Sequence, residues 1–153
     1  MAPQDDGPLR RRAVPAAGLG VIVRRPWLVA DIGATNARLA LAEPDTGTLT
    51  NLVQISTANA ASLSELLRPY LCELASYQFP SAACVALASP VVGGRCQMTN
   101  TPLSFSIEQT RQDLDLEELL VVNDFAATAR CLPHLSRAEF HLAGDADIRE
   151  DAV

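Results

Sequence analysis

Residues 31–38, Asp-Ile-Gly-Ala-Thr-Asn-Ala-Arg, constrain this chain more than any other stretch, because they join two apolar runs, Trp27-Leu-Val-Ala30 and Leu39-Ala-Leu-Ala42. Short apolar segments on either side of a Gly-containing polar turn pair as a β-hairpin. A turn that opens with Asp31, carries Gly33 and continues with Thr35 and Asn36 is built to show backbone N–H groups to an anion. The carboxylate at its head is placed to hold a cation, Mg²⁺ bound to phosphate oxygens. The octet therefore reads as a nucleotide phosphate hairpin, with a plain hairpin and polar turn as the alternative.

A second segment points the same way. Leu119-Leu-Val-Val-Asn123-Asp124-Phe125 is an apolar strand ending in two polar residues, and the helix-compatible Ala126-Ala-Thr-Ala-Arg130 follows. Ligands in α/β sheets sit outside the carboxyl ends of strands. An Asp at such a strand end, beside a nucleotide hairpin, is where a general base for phosphoryl transfer is expected. Taken alone, Asp124 reads equally as the N-cap of the next helix.

Charge and composition exclude several classes. All twelve basic residues are Arg, so a phosphate-loop lysine of the Walker type and Schiff-base chemistry are both ruled out. The net charge of −6 is uneven: residues 1–30 hold five Arg against Asp5 and Asp6, and the remainder is strongly acidic. An acidic body argues against nucleic acid, whose footprint is a basic face. No apolar run approaches the roughly 20 residues that cross a bilayer, so no membrane partner is expected. Cys72, Cys84, Cys96 and Cys131 form no C-x-x-C pair and lie mostly far from His134 and His141. They read as reduced, mostly buried thiols of a cytoplasmic protein rather than as a disulfide framework or zinc site.

Residues 1–26, rich in Pro, Ala, Gly and Arg, read as a disordered N-terminal extension. Arg10-Arg-Arg12 followed by Ala13–Val23 has the look of a signal peptide but no convincing cleavage site. Strands are expected at 27–31, 36–43 and 49–56, with Glu43-Pro-Asp-Thr-Gly-Thr48 turning between the last two. A helix opens at Ser62, whose Ser62-x-x-Glu65 has the form of a capping box. Leu63, Leu66, Leu67, Tyr70, Leu71 and Leu74 share one face of it, and Pro69 should kink or divide it. A buried strand follows at 82–88 and then a hairpin over 89–99. Residues 100–104 read as a loop, with a second helix opening near Ser106, a strand at 118–123 and a helix at about 125–131. Three meandering strands followed by alternating helices and strands describe the α/β, ribonuclease-H-like or actin-like ATPase arrangement.

With both motifs in this order, the chain resembles the bacterial glucokinase family of the actin-like hexokinase superfamily from about Trp27 to Gly144. Leu28–Arg38 is similar to that family's first phosphate motif, and Ala88-Ser-Pro-Val-Val-Gly93 with Met98-Thr-Asn100 to its sugar-proximal hairpin and loop. Phe105-Ser-Ile107 resembles the start of its next helix, and Val122-Asn-Asp-Phe-Ala-Ala127 its catalytic segment.

The resemblance implies a hexose kinase that transfers the γ-phosphate of ATP to the 6-hydroxyl of glucose or a related hexose. Asp124 would be the general base, and Asn100, Asn123 and Asp124 would contact the sugar. Asp31, Ile32, Gly33, Ala34, Thr35 and Asn36 would hold the nucleotide phosphates, with Asp31 organising Mg²⁺. It further implies a small domain over 27–122 and the start of a truncated large domain over 123–153. A homo-oligomer or a missing C-terminal half would then complete the site, and apolar surface on Leu119–Val122 would lack partners. A catalytically inactive remnant, or a sugar-binding module of the same fold, is the alternative. Two positions depart from the family pattern: Ala34 stands where the family usually has a second glycine, and Leu103 stands near the place of an expected aromatic. An added Cβ at residue 34 is harmless at negative φ and costly at positive φ.

Overall fold

The computed structural model describes residues 24–99 and 101–139. Asn100, most of the N-terminal extension and the acidic tail beyond Glu139 lie outside the described residues. Strands β1 (Trp27–Ile32), β2 (Asn36–Ala42) and β3 (Leu49–Ser56) form an antiparallel meander. Helix α1 (Leu63–Glu73) leads through a short 3₁₀ turn at Ser76–Gln78 to β4 (Ala82–Leu87). Strands β5 (Val91–Val92), β6 (Arg95–Gln97) and β7 (Ser104–Ser106) form a small separate sheet, followed by α2 (Ile107–Asp113). The last regular elements are β8 (Glu118–Asn123) and α3 (Asp124–Cys131), and two 3₁₀ turns follow them.

The main sheet has the order β3-β2-β1-β4-β8, with β4 parallel to β1 and β8 parallel to β4. Alternation along each strand decides which side is covered. Leu28 and Ile32 on β1, Leu39 and Leu41 on β2, Val85 and Leu87 on β4, and Leu119 and Val121 on β8 are buried. They share one core with Leu63, Leu66, Leu67, Tyr70 and Leu71 of α1. Each fully buried Leu contributes about 1.5–3 kcal/mol, so this single seam fixes the register of the whole sheet.

Local signals act as read from the sequence at most element ends. Ser62 caps α1 by accepting from Glu65 N at 3.2 Å, and the Glu65 carboxylate accepts from Ala61 N at 2.8 Å. Ser106 caps α2 by accepting from Gln109 N at 3.4 Å. The β2–β3 turn closes with Gly47 N donating to Glu43 O at 2.8 Å, Gly47 lying at φ 68°. Gly93 and Gly94, at φ 57° and 73°, supply the two left-handed positions of the β5–β6 turn.

Four expectations need correction. Helix α1 runs through Pro69 undivided. Pro69 and Glu65, whose carbonyl loses its donor, are both exposed residues on the solvent side of the helix, and burial of five neighbouring side chains outweighs the cost. Residues 104–106 are a strand, because they pair with β6, a contact that three residues cannot announce alone. The thiols are not mostly buried: Cys96 is, Cys84 is half-buried, and Cys72 and Cys131 are exposed and free. Finally, the expectation for β8 holds for one face only, since β8 is the last strand of the sheet and its outward side is uncovered among the described residues. The strand pairs with β4 along its whole length and places Leu119 and Val121 in the core, leaving Leu120 outward at 45% exposure.

Candidate active site

The register assembles the site. Ile32, Leu87 and Asn123 stand side by side across β1, β4 and β8, three strands that run in the same direction. The β1–β2 turn and the β8–α3 junction therefore emerge at one carboxyl edge, two strand spacings or about 10 Å apart. A one-residue slip of β8 would carry Asn123 and Asp124 out of this line and expose Leu119 and Val121.

The turn is tight. Gly33 N donates to Asn36 O at 3.0 Å, which leaves Ala34 and Thr35 at the exposed tip. Their N–H groups have no partner among the described residues. Thr57, fully buried at the end of β3, fixes the tip from below: its hydroxyl donates to Ala34 O at 2.9 Å and its N–H to Thr35 O at 3.0 Å. With both carbonyls held from beneath, the free donors are left to the open side, as an anion cradle requires. Neither Gly33 nor Ala34 lies at positive φ, and a Cβ on Gly33 would meet only Asn36 O, at 3.4 Å. Ala34 is thus accommodated without strain. A cleft of about 290 Å³ opens here, lined by Asp31, Gly33, Ala34, Thr35, Asn36 and Arg38, while Ile32 is buried in the core.

At the other junction, Asn123 rather than Asp124 is the N-cap of α3. Its Oδ1 accepts from Phe125 N at 3.1 Å and Ala126 N at 3.3 Å. Asp124 is the first helical residue, half-buried, and its Oδ1 accepts from Phe125 N at 2.8 Å. The amide NH₂ of Asn123 and Oδ2 of Asp124 have no partner among the described residues. One donor group and one carboxylate oxygen are thus uncommitted at the same sheet edge as the cradle. Helix α3 packs on β8 and β4. Burial raises the Cys84 thiol pKa, and the Arg130 guanidinium on α3 partly offsets this.

Asn100 lies outside the described residues, so the loop is seen only at its flanks, where Met98 N donates to buried Leu103 O at 3.0 Å. Leu103 therefore belongs to the core rather than to a sugar-facing wall. Two other clefts, of about 440 and 390 Å³, open on the small sheet beside Arg95 and Ser104; residues of the β5–β6 hairpin line them, and no β1–β2 or β8 residue does. No cluster of three or more His, Cys, Asp or Glu side chains able to hold a metal exists among the described residues, and no described helix is long and apolar enough to cross a membrane. Asp31 fits a divalent cation only as one oxygen donor, with phosphate oxygens and water completing its shell. Sequence reasoning assigned no role to Arg38 or Thr57. Arg38 carried a signal, as a charged residue opposite Asp31 in a hairpin, whereas Thr57 required the tertiary contact to be seen.

Comparison with known proteins agrees with this geometry. A family profile described as Glucokinase matches residues 28–152. The chain is 39% identical over 127 residues to a glucokinase of Chromobacterium violaceum, covering 83% of this chain and 36% of that one. It is 41% identical over 138 residues to the bifunctional protein glk of Burkholderia lata, covering 90% of this chain and 21% of the relative. Among solved structures, a glucokinase from an Antarctic psychrotroph superposes with a TM-score of 0.66 at 35% identity, over 80% of this chain and 40% of that one. The chain thus spans between about a fifth and two fifths of the length of the relatives it matches. The fold is that of the actin-like ATPases, and the chain belongs to the glucokinase family.

Proposed function

We propose that this chain carries the phosphate cradle and the proton acceptor of an ATP-dependent hexose kinase of glucokinase type. The observation that supports this most is the shared row of Ile32, Leu87 and Asn123, which brings the Gly33–Asn36 turn and the Asn123–Asp124 pair to one edge. In this reading the N–H groups of Ala34 and Thr35, with the Thr35 hydroxyl, bind phosphate oxygens. Asp31 holds Mg²⁺, and the ion supplies charge neutralisation of the phosphates. The Asn123 amide and Asn100 donate to hydroxyls of glucose or a related hexose. Asp124 accepts the 6-hydroxyl proton through Oδ2. The hexose 6-oxygen forms the new bond to the γ-phosphorus while the bond to the bridging oxygen of the nucleoside diphosphate breaks, and the proton stays on Asp124. Such catalysis is mostly positioning, which a rigid sheet edge provides.

The reading also divides the chain at the β8–α3 junction, with a small domain over 27–122 and the start of a large domain from 123. The expected setting is the cytoplasm, where the nucleotide and hexose pools meet, with assembly to a homo-oligomer or pairing with a C-terminal half completing the cleft. The relatives' greater length supports this second arrangement. A non-catalytic remnant gains nothing from Ala34, since the turn accepts its Cβ. A coupled glucose-phosphorylation assay on the chain and on Asp124→Asn tests the proposal. Turnover abolished by the substitution supports it; turnover that survives in the variant rejects the role of Asp124.

A further inference from the structure

We infer that Ser89 is a positioning residue for hexose binding, its hydroxyl fixing the loop of residues 98–103 to the end of β4. The inference rests on the hexose-kinase reading above and adds to it the residue that sets the place of the sugar-facing loop. Ser89 is two residues past Leu87, the β4 member of the row Ile32, Leu87 and Asn123. It is 4% exposed, and its hydroxyl donates to Gln97 O at 2.6 Å. Gln97 ends β6 and directly precedes Met98, where the loop begins. One buried hydrogen bond therefore ties the small sheet to the end of β4, the strand that lies between β1 and β8.

The register explains why a side chain is needed here. In the β5–β6 hairpin, Val92 pairs with Arg95 across the Gly93–Gly94 turn, and Val91 pairs with Cys96. Antiparallel pairs alternate between hydrogen-bonded and open, so the next pair, Pro90 with Gln97, returns to the hydrogen-bonded kind. There an N–H at position 90 would donate to Gln97 O. Proline has none, and the Ser89 hydroxyl supplies the donor that Pro90 withholds. Backbone hydrogen bonds fix this segment in turn: Ala88 N donates to Ile32 O at 3.2 Å and Ser89 N to Leu87 O at 2.7 Å. The loop is pinned at its far end as well. Met98 N donates to Leu103 O at 3.0 Å, Leu103 N to the Thr101 hydroxyl at 3.3 Å, and Ser104 N to Ala61 O at 3.0 Å. Met98 and Leu103 are buried, while Thr99 is exposed. Asn100, the proposed sugar contact, thus belongs in sequence to a short loop with two anchored ends, and Ser89 sets where that loop starts. A shift of about 1 Å in that start is enough to break a sugar hydrogen bond.

The test is calorimetric titration of glucose, with inorganic triphosphate as control, into the full chain and into Ser89→Ala, Asn100→Ala and the double variant. Amide hydrogen exchange on the ligand-free chains accompanies it. Ser89→Ala is expected to weaken glucose about tenfold and to leave triphosphate unchanged, because the Gly33–Asn36 turn is held by Thr57 and not by Ser89. The double variant is expected to bind glucose no more weakly than Asn100→Ala, since a residue that acts through Asn100 then has nothing left to position. The Met98 N–H is expected to exchange about tenfold faster in Ser89→Ala, with the amides of β1 and β2 at their parent rates. Unchanged glucose affinity in Ser89→Ala, additive losses in the double variant, or an unchanged Met98 rate overturns the inference and leaves the hexose reading standing. Absence of glucose binding in the parent overturns the hexose reading for this chain, and this role of Ser89 with it.

Discussion

The two halves of the site are built on opposite principles. In the β1–β2 turn, the carbonyls of Ala34 and Thr35 are held from beneath by Thr57, and their N–H groups are uncommitted. At the β8–α3 junction, the polar side chains already serve the helix: one oxygen of Asn123 and one of Asp124 receive the first helical N–H groups. In the proposed function the turn would be a pure binding surface whose geometry is supported from elsewhere. The junction would use the same residues for structure and for chemistry, so each side chain would keep only one functional atom. Mutations at the turn should therefore change ligand affinity with little change in fold, whereas mutations at the junction mix the two effects.

The largest expected effect lies at the junction and breaks that mixture apart. Asp124→Asn preserves size and an oxygen that accepts from Phe125 N, but the amide cannot take a proton from a hydroxyl. Turnover should fall about 10²–10⁴-fold, with nucleotide affinity and the unfolding midpoint nearly unchanged. A comparable loss of stability would show that the carboxylate matters chiefly to the helix. Next comes Thr57→Val, which keeps the buried volume and deletes the hydroxyl that holds Ala34 O. Denaturant unfolding should report about 0.5–1.5 kcal/mol of destabilisation, and phosphate affinity should weaken with it, while Thr57→Ser, which keeps the hydroxyl but loses a buried methyl, restores the affinity. Unchanged affinity in Thr57→Val would mean that the turn keeps its shape without support from β3.

This contrast also explains what could be read from the sequence. The hairpin, β4 and β8 were legible as short apolar runs bounded by polar turns, and α1 by six apolar residues at helical spacing. The starts of α1 and α2 were legible from Ser62 and Ser106, each followed three residues on by Glu or Gln. Strand β7 was not, since Ser104-Phe105-Ser106 is extended only because β6 lies beside it. The same holds for the site. The places of Asp31, the turn and Asp124 at element ends were legible from type and position, but the identity of the α3 cap depends on a side-chain rotamer that composition does not encode. Thr57 is 22 residues from Thr35 in the chain, and only folding brings them together.

A smaller effect separates the two duties of Asn123. Asn123→Ala removes the cap and should cost about 1 kcal/mol. Asn123→Asp keeps an oxygen for Phe125 N and Ala126 N and adds a favourable charge at a helix N-terminus, so stability should be held or slightly raised. It replaces the amide donor with an acceptor, however, and hexose affinity should fall in both variants. If Asn123→Asp binds hexose as well as the parent does, Asn123 is a cap alone and the sugar contact belongs elsewhere.

The smallest effect is expected at Ala34, and its smallness is the point. Ala34 is exposed and its φ is not in the left-handed region, so glycine there brings no relief of strain. Ala34→Gly should only enlarge the freedom of the unfolded chain, a destabilisation of about 0.4–1 kcal/mol, with triphosphate affinity unchanged within error. A glycine variant that instead bound triphosphate tenfold more tightly would show that the Ala34 Cβ obstructs the approach of phosphate. The turn would then no longer be a surface open to its ligand, and the difference between the two halves of the site would narrow to one of degree.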